Sequence, residues 1–212
     1  MAELRIGYFL EDLAQEKFVL ALVQRVALDV KELAVEFRHE VRNATGGGGK
    51  ALEQFSQFLE RHGRGDERTF DVLVVAIDGN CVGPTQRVDE IKTRIRHTGY
   101  LGQWVCAVPN PHIERWYLAD PVGFQIQFQS PRLPVVPRQK CERDRYKRAL
   151  VQALRDADLE APLGGAEYGD EVVAGMDLYR AGKRDRALGR FISDLRYAFK
   201  TWQAEFTPNV AM

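Results

Sequence analysis

Six consecutive apolar residues, Val72 to Ile77, run straight into Asp78-Gly79-Asn80 and constrain this chain more than any other stretch. A run this short and unbroken predicts a strand covered on both faces, which requires helices on both sides of a sheet. It also leaves a carboxylate where the strand leaves the core. Asp78 is then either a turn residue or a ligand.

The flanking segments supply the rest of such a fold. Residues 4–10 read as a buried strand ending at Glu11-Asp12. Phe18, Val19, Leu22, Val23 and Val26 then follow helical spacing. Residues 33–43 alternate as a second strand, with Val35, Phe37, His39 and Val41 on one face. The glycine-rich stretch 44–50 predicts a loop, because glycine loses the most entropy in regular structure. Leu52, Phe55, Phe58 and Leu59 mark a second helix, and Val88, Ile91 and Ile95 a third over 85–98. A fourth strand is predicted at 103–109. This alternation predicts an α/β fold with a parallel-type sheet of about four strands, helices on both faces and a C-terminal helical segment.

Domain organisation follows from composition. Residues 1–122 form the α/β unit, and 123–140, with its prolines, reads as an extended connector. Residues 141–212 form a helical segment packing on the first unit. Its first helix carries Tyr146, Ala149, Leu150, Ala153 and Leu154 on one face, and two further short helices follow.

Charge excludes one class of function. Lys plus Arg and Asp plus Glu are 30 each, so nothing favours indiscriminate coating of nucleic acid. Residues 138–148 and 180–190 are the densest basic stretches, and a local phosphate-binding groove there remains one reading. Ion pairs on a solvated helix face are the other. Cys81, Cys106 and Cys141 are odd in number and show no CxxC spacing, which suits a reducing compartment without disulfides or zinc. No charged-then-apolar leader and no apolar run near the roughly 18 residues of a membrane span is present. A cytoplasmic protein with no membrane partner is expected.

In parallel sheets, ligands bind beyond the carboxyl ends of the strands. Glu11-Asp12, Asp78-Gly79-Asn80 and Pro111-His112-Ile113-Glu114 all fall there. Adjacent carboxylates repel unless a proton or cation lies between them, and hard cations take carboxylate oxygens. Glu11 and Asp78 are the candidate ligands for a hard cation such as Mg2+. His112 is a candidate general base or phosphate contact, with a hydrogen-bonded structural role as the alternative. Trp116 and Tyr117 read as packing residues, and Asp120 before Pro121 as a helix terminator. Gly49-Lys50 is followed by Ala51, so the hydroxyl that a nucleotide-binding P-loop needs is missing.

"FLEDLAQEKF" and "VVAIDGN" resemble the two acidic motifs of Toprim domains, the α/β module of topoisomerases, bacterial primases and nucleases of the overcoming-lysogenization-defect type. "PNPHIERWYLADP" resembles the P-x-x-E-x-W-x-L-A-D segment of a bacterial Toprim-like group, at Glu114, Trp116, Leu118, Ala119 and Asp120. The resemblance covers about residues 4–121. It places Glu11 on the first motif and Asp78 on the first acid of the second. Two departures stand out: Asp12 follows the glutamate where glycine is usual, and Asn80 replaces the second aspartate.

What the resemblance implies is a metal-dependent nuclease cleaving DNA or RNA, in an anti-phage defence system beside a partner ATPase. Glu11 and Asp78 would hold Mg2+ or Mn2+, with Asn80, Asp12 or Glu114 completing the shell. Glu11, Asp78 and Glu114 would be catalytic together with His112, which its place beside Glu114 suggests. Two alternatives stay open: a degenerate adaptor binding an ATPase or nucleic acid, and a phosphohydrolase of small nucleotides. Whether the chain forms a homo-oligomer is open as well.

Overall fold

The protein's structure, a computed structural model, describes residues 2–30, 35–45, 48–62, 69–138, 141–142 and 144–206. Its first half is β1 (Ala2–Leu10), α1 (Leu13–Asp29), β2 (Val35–Asn43), α2 (Gly48–His62), β3 (Val72–Ala76), α3 (Pro84–Thr98) and β4 (Gln103–Ala107). The strands lie in the order β2-β1-β3-β4, and every pairing is parallel. Helices cover both faces. Leu4, Ile6, Tyr8 and Leu10 join Val72, Val74 and Ala76 against Phe18, Leu22 and Val26 of α1. Phe9, Leu73, Val75 and Ile77 point the other way, onto Phe55 and Leu59 of α2 and Ile91 and Ile95 of α3. Each Val, Leu, Ile or Phe among them contributes roughly 1.5–3 kcal/mol when fully withdrawn from water. The unbroken run in β3 is thus used on both sides.

The chain continues through α4 (Glu114–Tyr117), α5 (Pro121–Gln127), α6 (Arg145–Arg155), a 3-10 turn (Ala166–Tyr168), α7 (Gly169–Gly175), α8 (Leu178–Arg184) and α9 (Arg186–Phe206). Leu150, Val172, Phe191, Leu195 and Phe199 of these helices belong to the same apolar cluster as β1 and α1. Trp116 stacks on Phe191 at 5.8 Å. Polar bonds fix the docking. Trp116 Nε1 donates to Asp185 Oδ1 at 3.3 Å, and Arg115 Nε lies 3.0 Å from Asp185 Oδ2. Asp185 Oδ1 also accepts from Ala187 N and Leu188 N, capping the start of α9. None of the described helices is long and apolar enough to cross a membrane.

Four sequence expectations need correction. Residues 48–50 belong to α2, although the glycines predicted a loop. A first helical turn has unpaired N–H groups in any case, and the buried face from Ala51 to Leu59 outweighs the entropy cost. Residues 46–47 lie outside those described. The connector is helical to Gln127, because Phe124 is buried and anchors α5. Residues 131–138 have no regular structure, and 139–140 lie outside those described. The C-terminal part holds three helices after α6, the last of 21 residues. Finally, Cys81 and Cys141 form a disulfide with Cα atoms 5.3 Å apart, tying the turn after β3 to the chain before α6, while Cys106 is free. A loop-to-loop approach across 60 residues leaves no trace in cysteine spacing.

Candidate active site

Main-chain bonds carry the end of β3 across to the segment after β4. Ile77 N donates to Ala107 O, Gly79 N to Pro109 O at 2.9 Å, and Asn80 N to Pro111 O at 2.9 Å. A side chain at Gly79 would place its Cβ 2.7 Å from Pro109 O, so only glycine permits this approach. Asn80 takes a left-handed φ of 46°, which asparagine tolerates better than most residues. Asp78 is thereby held against His112. On the β1 side, the chain leaves the sheet at Glu11, and Asp12 caps α1 by accepting from Gln15 N at 2.9 Å.

Asp78 is 8% exposed and bonded on every side. Its Oδ1 accepts from Gln15 Nε2 at 2.9 Å, and its Oδ2 lies 3.0 Å from His112 Nδ1. Its backbone N–H donates to Glu11 Oε2 at 2.8 Å, and its carbonyl accepts from Arg87 Nε at 3.1 Å. Gln15, fully buried, also accepts from Glu11 N at 2.8 Å. Glu11, Asp78 and His112 are therefore joined directly. Asp12 and Glu114 act on Asp78 electrostatically. Asn80 turns its amide Nδ2 onto Asp78 O at 3.3 Å.

Protonation follows from this crowding. Burial, then the charges of Glu11, Asp12 and Glu114, push Asp78 up to about 7 against the pull of the His112 bond. Burial also raises Glu11, as does Asp12, while the Asp78 N–H, Arg87 and His112 oppose it. Glu114 rises chiefly through burial. His112 is raised first by its bond to Asp78, against burial. Both members of the Asp78–His112 pair therefore hold a proton more firmly than an isolated Asp or His would. With Nδ1 turned to Asp78, the His112 Nε2 is the nitrogen left for a substrate.

The donor set fits a hard divalent cation in its chemistry. The oxygens are carboxylate, their mutual repulsion adds to the burial that raises their proton affinities, and an oxygen accepting one hydrogen bond keeps a lone pair. Among the described residues, no three His, Cys, Asp or Glu side chains already stand as a ligand group.

Sequence reasoning missed Gln15 and Arg87, the two side chains that hold Asp78 from the helices. Both carried a signal. Gln15 lies on the buried stripe with Phe18, Val19 and Leu22, and Arg87 precedes Ile91 and Ile95 at helical spacing. A polar side chain on an apolar stripe needs a buried partner. Asp120 is no mere terminator: 3% exposed, it accepts from Arg180 Nε at 2.8 Å, Arg180 Nη2 at 2.7 Å and Asp177 N at 2.8 Å. Trp116 and Tyr117 are core residues, as expected. Much of the basic stretches is engaged in ion pairs: Arg145 and Arg148 with Glu142, Arg180 with Asp120 and Asp177, and Arg190 with Asp194. Comparison with known protein families, with curated proteins and with solved structures finds no match.

Proposed function

We propose that this protein is a metal-dependent nuclease of Toprim-like type, cleaving phosphodiester bonds of DNA or RNA. The observation that carries the reading is the direct linkage of Glu11, Asp78 and His112 across the carboxyl ends of β1, β3 and β4. Glu11 and Asp78, completed by Asp12, Glu114 or Asn80, would hold Mg2+ or Mn2+. When bound, such an ion polarises phosphoryl oxygen and makes a nearby water more acidic. His112 Nε2 takes the proton of the attacking water, and Asp78 fixes the ring and balances the imidazolium. Gln15 and Arg87 hold Asp78 in place. The resemblance adds a place in bacterial anti-phage defence and a partner ATPase.

One observation favours a second reading, a degenerate adaptor. Both Asp78 oxygens already have partners in Gln15 and His112, and Asn80 brings no charge. Mg2+ and Mn2+ titration by calorimetry separates the readings, alongside cleavage assays on plasmid, single-stranded DNA and RNA. Saturable binding and cleavage, both lost in Glu11→Gln and Asp78→Asn, support the nuclease. Under the same reading, His112→Gln binds metal and cuts poorly. A wild type that neither binds metal nor cuts, yet copurifies with an ATPase, supports the adaptor. Cleavage confined to free nucleotides would move the assignment to a small-molecule phosphohydrolase.

A further inference from the structure

The sheet has an open margin at β4, which pairs with β3 and with no other strand among the described residues. Ala107 O accepts from Ile77 N on the β3 side. Successive residues of a strand turn their main-chain groups to alternate sides, so Gln103, Val105 and Ala107 face β3. Trp104 and Cys106 present their N–H and C=O groups outward. A groove of about 420 Å³ runs along that margin, walled by Val88 and Lys92 of α3 and by Arg190, Asp194 and Tyr197 of α9.

Its shape decides what it fits. The α9 wall extends from Ala187 to Thr201, roughly 21 Å at 1.5 Å per residue, and the five residues of β4 span roughly 17 Å. A slot of strand length beside outward-facing peptide groups suits an extended chain rather than a compact ligand. Its chemistry agrees. The walls carry two cations, Lys92 and Arg190, against one acid, Asp194, and the Arg190–Asp194 pair is loose at 3.9 Å and solvent-exposed. Gln103 Oε1 is buried without a hydrogen-bond partner. Tyr197, 74% exposed, adds apolar surface. The Cys106 thiol, pushed up to about 12 by burial, is an inert wall rather than a nucleophile.

We propose that the β4 margin is a docking groove for an extended segment of a partner protein, alternating apolar and acidic residues, which adds as a fifth strand beside β4. This does not depend on the nuclease reading, because none of the acidic cluster lines the groove.

The test uses the full chain and a fluorescein-labelled hexapeptide of alternating valine and glutamate, followed by fluorescence anisotropy. Saturable binding is expected. It should weaken at least about tenfold when alternate amides facing β4 are N-methylated, and hardly at all when the other set is. Replacing glutamate by lysine in the peptide, or Lys92→Glu with Arg190→Glu in the protein, should weaken it about as much, because like charges then face each other. If that double variant melts early, Tyr197→Asp, at an exposed position lining the groove, serves instead. Absence of saturable binding, or equal binding of both N-methylated peptides, overturns the proposal. So does a concentration-dependent dimer that Tyr197→Asp abolishes while the peptide fails to bind, which would make a second copy the occupant.

Discussion

Gln15→Leu tests whether one buried amide holds the acidic site together. The substitution nearly preserves volume but removes two bonds at once, to Asp78 Oδ1 at 2.9 Å and from Glu11 N at 2.8 Å. Losing a donor to a buried carboxylate costs about 1.5–3 kcal/mol, and stranding a buried N–H about 1–3 kcal/mol. Leucine's extra apolar burial returns roughly 1 kcal/mol. The net expectation is a loss of about 1.5–5 kcal/mol, a large share of the roughly 5–15 kcal/mol by which domains are stable. Urea unfolding at neutral pH reads it as a lower midpoint at unchanged slope. Thermal melting should shift down by roughly 5–15 °C for a chain of this size. Gln24→Leu, on the exposed side of α1, is the control and should stay within about 0.5 kcal/mol. A Gln15→Leu loss no larger than that control would refute the reasoning, because the amide would then not be bridging the two acids.

Three other outcomes are expected. Burial alone would raise Asp120, but Arg180 and the Asp177 N–H outweigh it and hold the carboxyl below its ordinary 3.8. Its folded value is depressed, so its stabilisation is present above about pH 4 and fades as pH falls through that value. The stability gap between wild type and Asp120→Asn should therefore shrink between about pH 5 and pH 3, and a constant gap in pH-dependent urea melts would contradict this. Thiol titration of the unfolded chain should find one free cysteine before reduction and three after it. Reduction should lower stability by up to about 4 kcal/mol for a bridge spanning 60 residues, whereas three thiols from the outset would exclude the bridge. Gly169→Ala places a Cβ 2.7 Å from the Lys17 backbone where α7 crosses α1. It should cost about 1–3 kcal/mol in a urea melt, and a neutral effect would mean the helices are less closely packed.

The uneven legibility of the site has a local cause. Glu11 and Asp78 could be named in advance because each ends a strand, and parallel strands end on one edge. His112 could be named but not assigned, since its role depends on the 3.0 Å approach of Asp78 across 34 residues. Gln15 and Arg87 looked like ordinary helix residues, although their place on the buried stripes could have marked them. Asp120 looked like a stop signal because its partner, Arg180, lies 60 residues away.

The sequence by itself determined the layers. Apolar runs, helical stripes and strand ends are short-range patterns, and burying them leaves few arrangements other than a parallel sheet between helices. Only the tertiary structure decided which polar groups meet: the Gln15–Asp78–His112 chain of bonds, the Asp120–Arg180 clamp and the Cys81–Cys141 bridge. Hydrophobic burial is non-directional and depends on pattern, whereas hydrogen bonds, ion pairs and disulfides depend on a few tenths of an ångström between residues far apart in the chain.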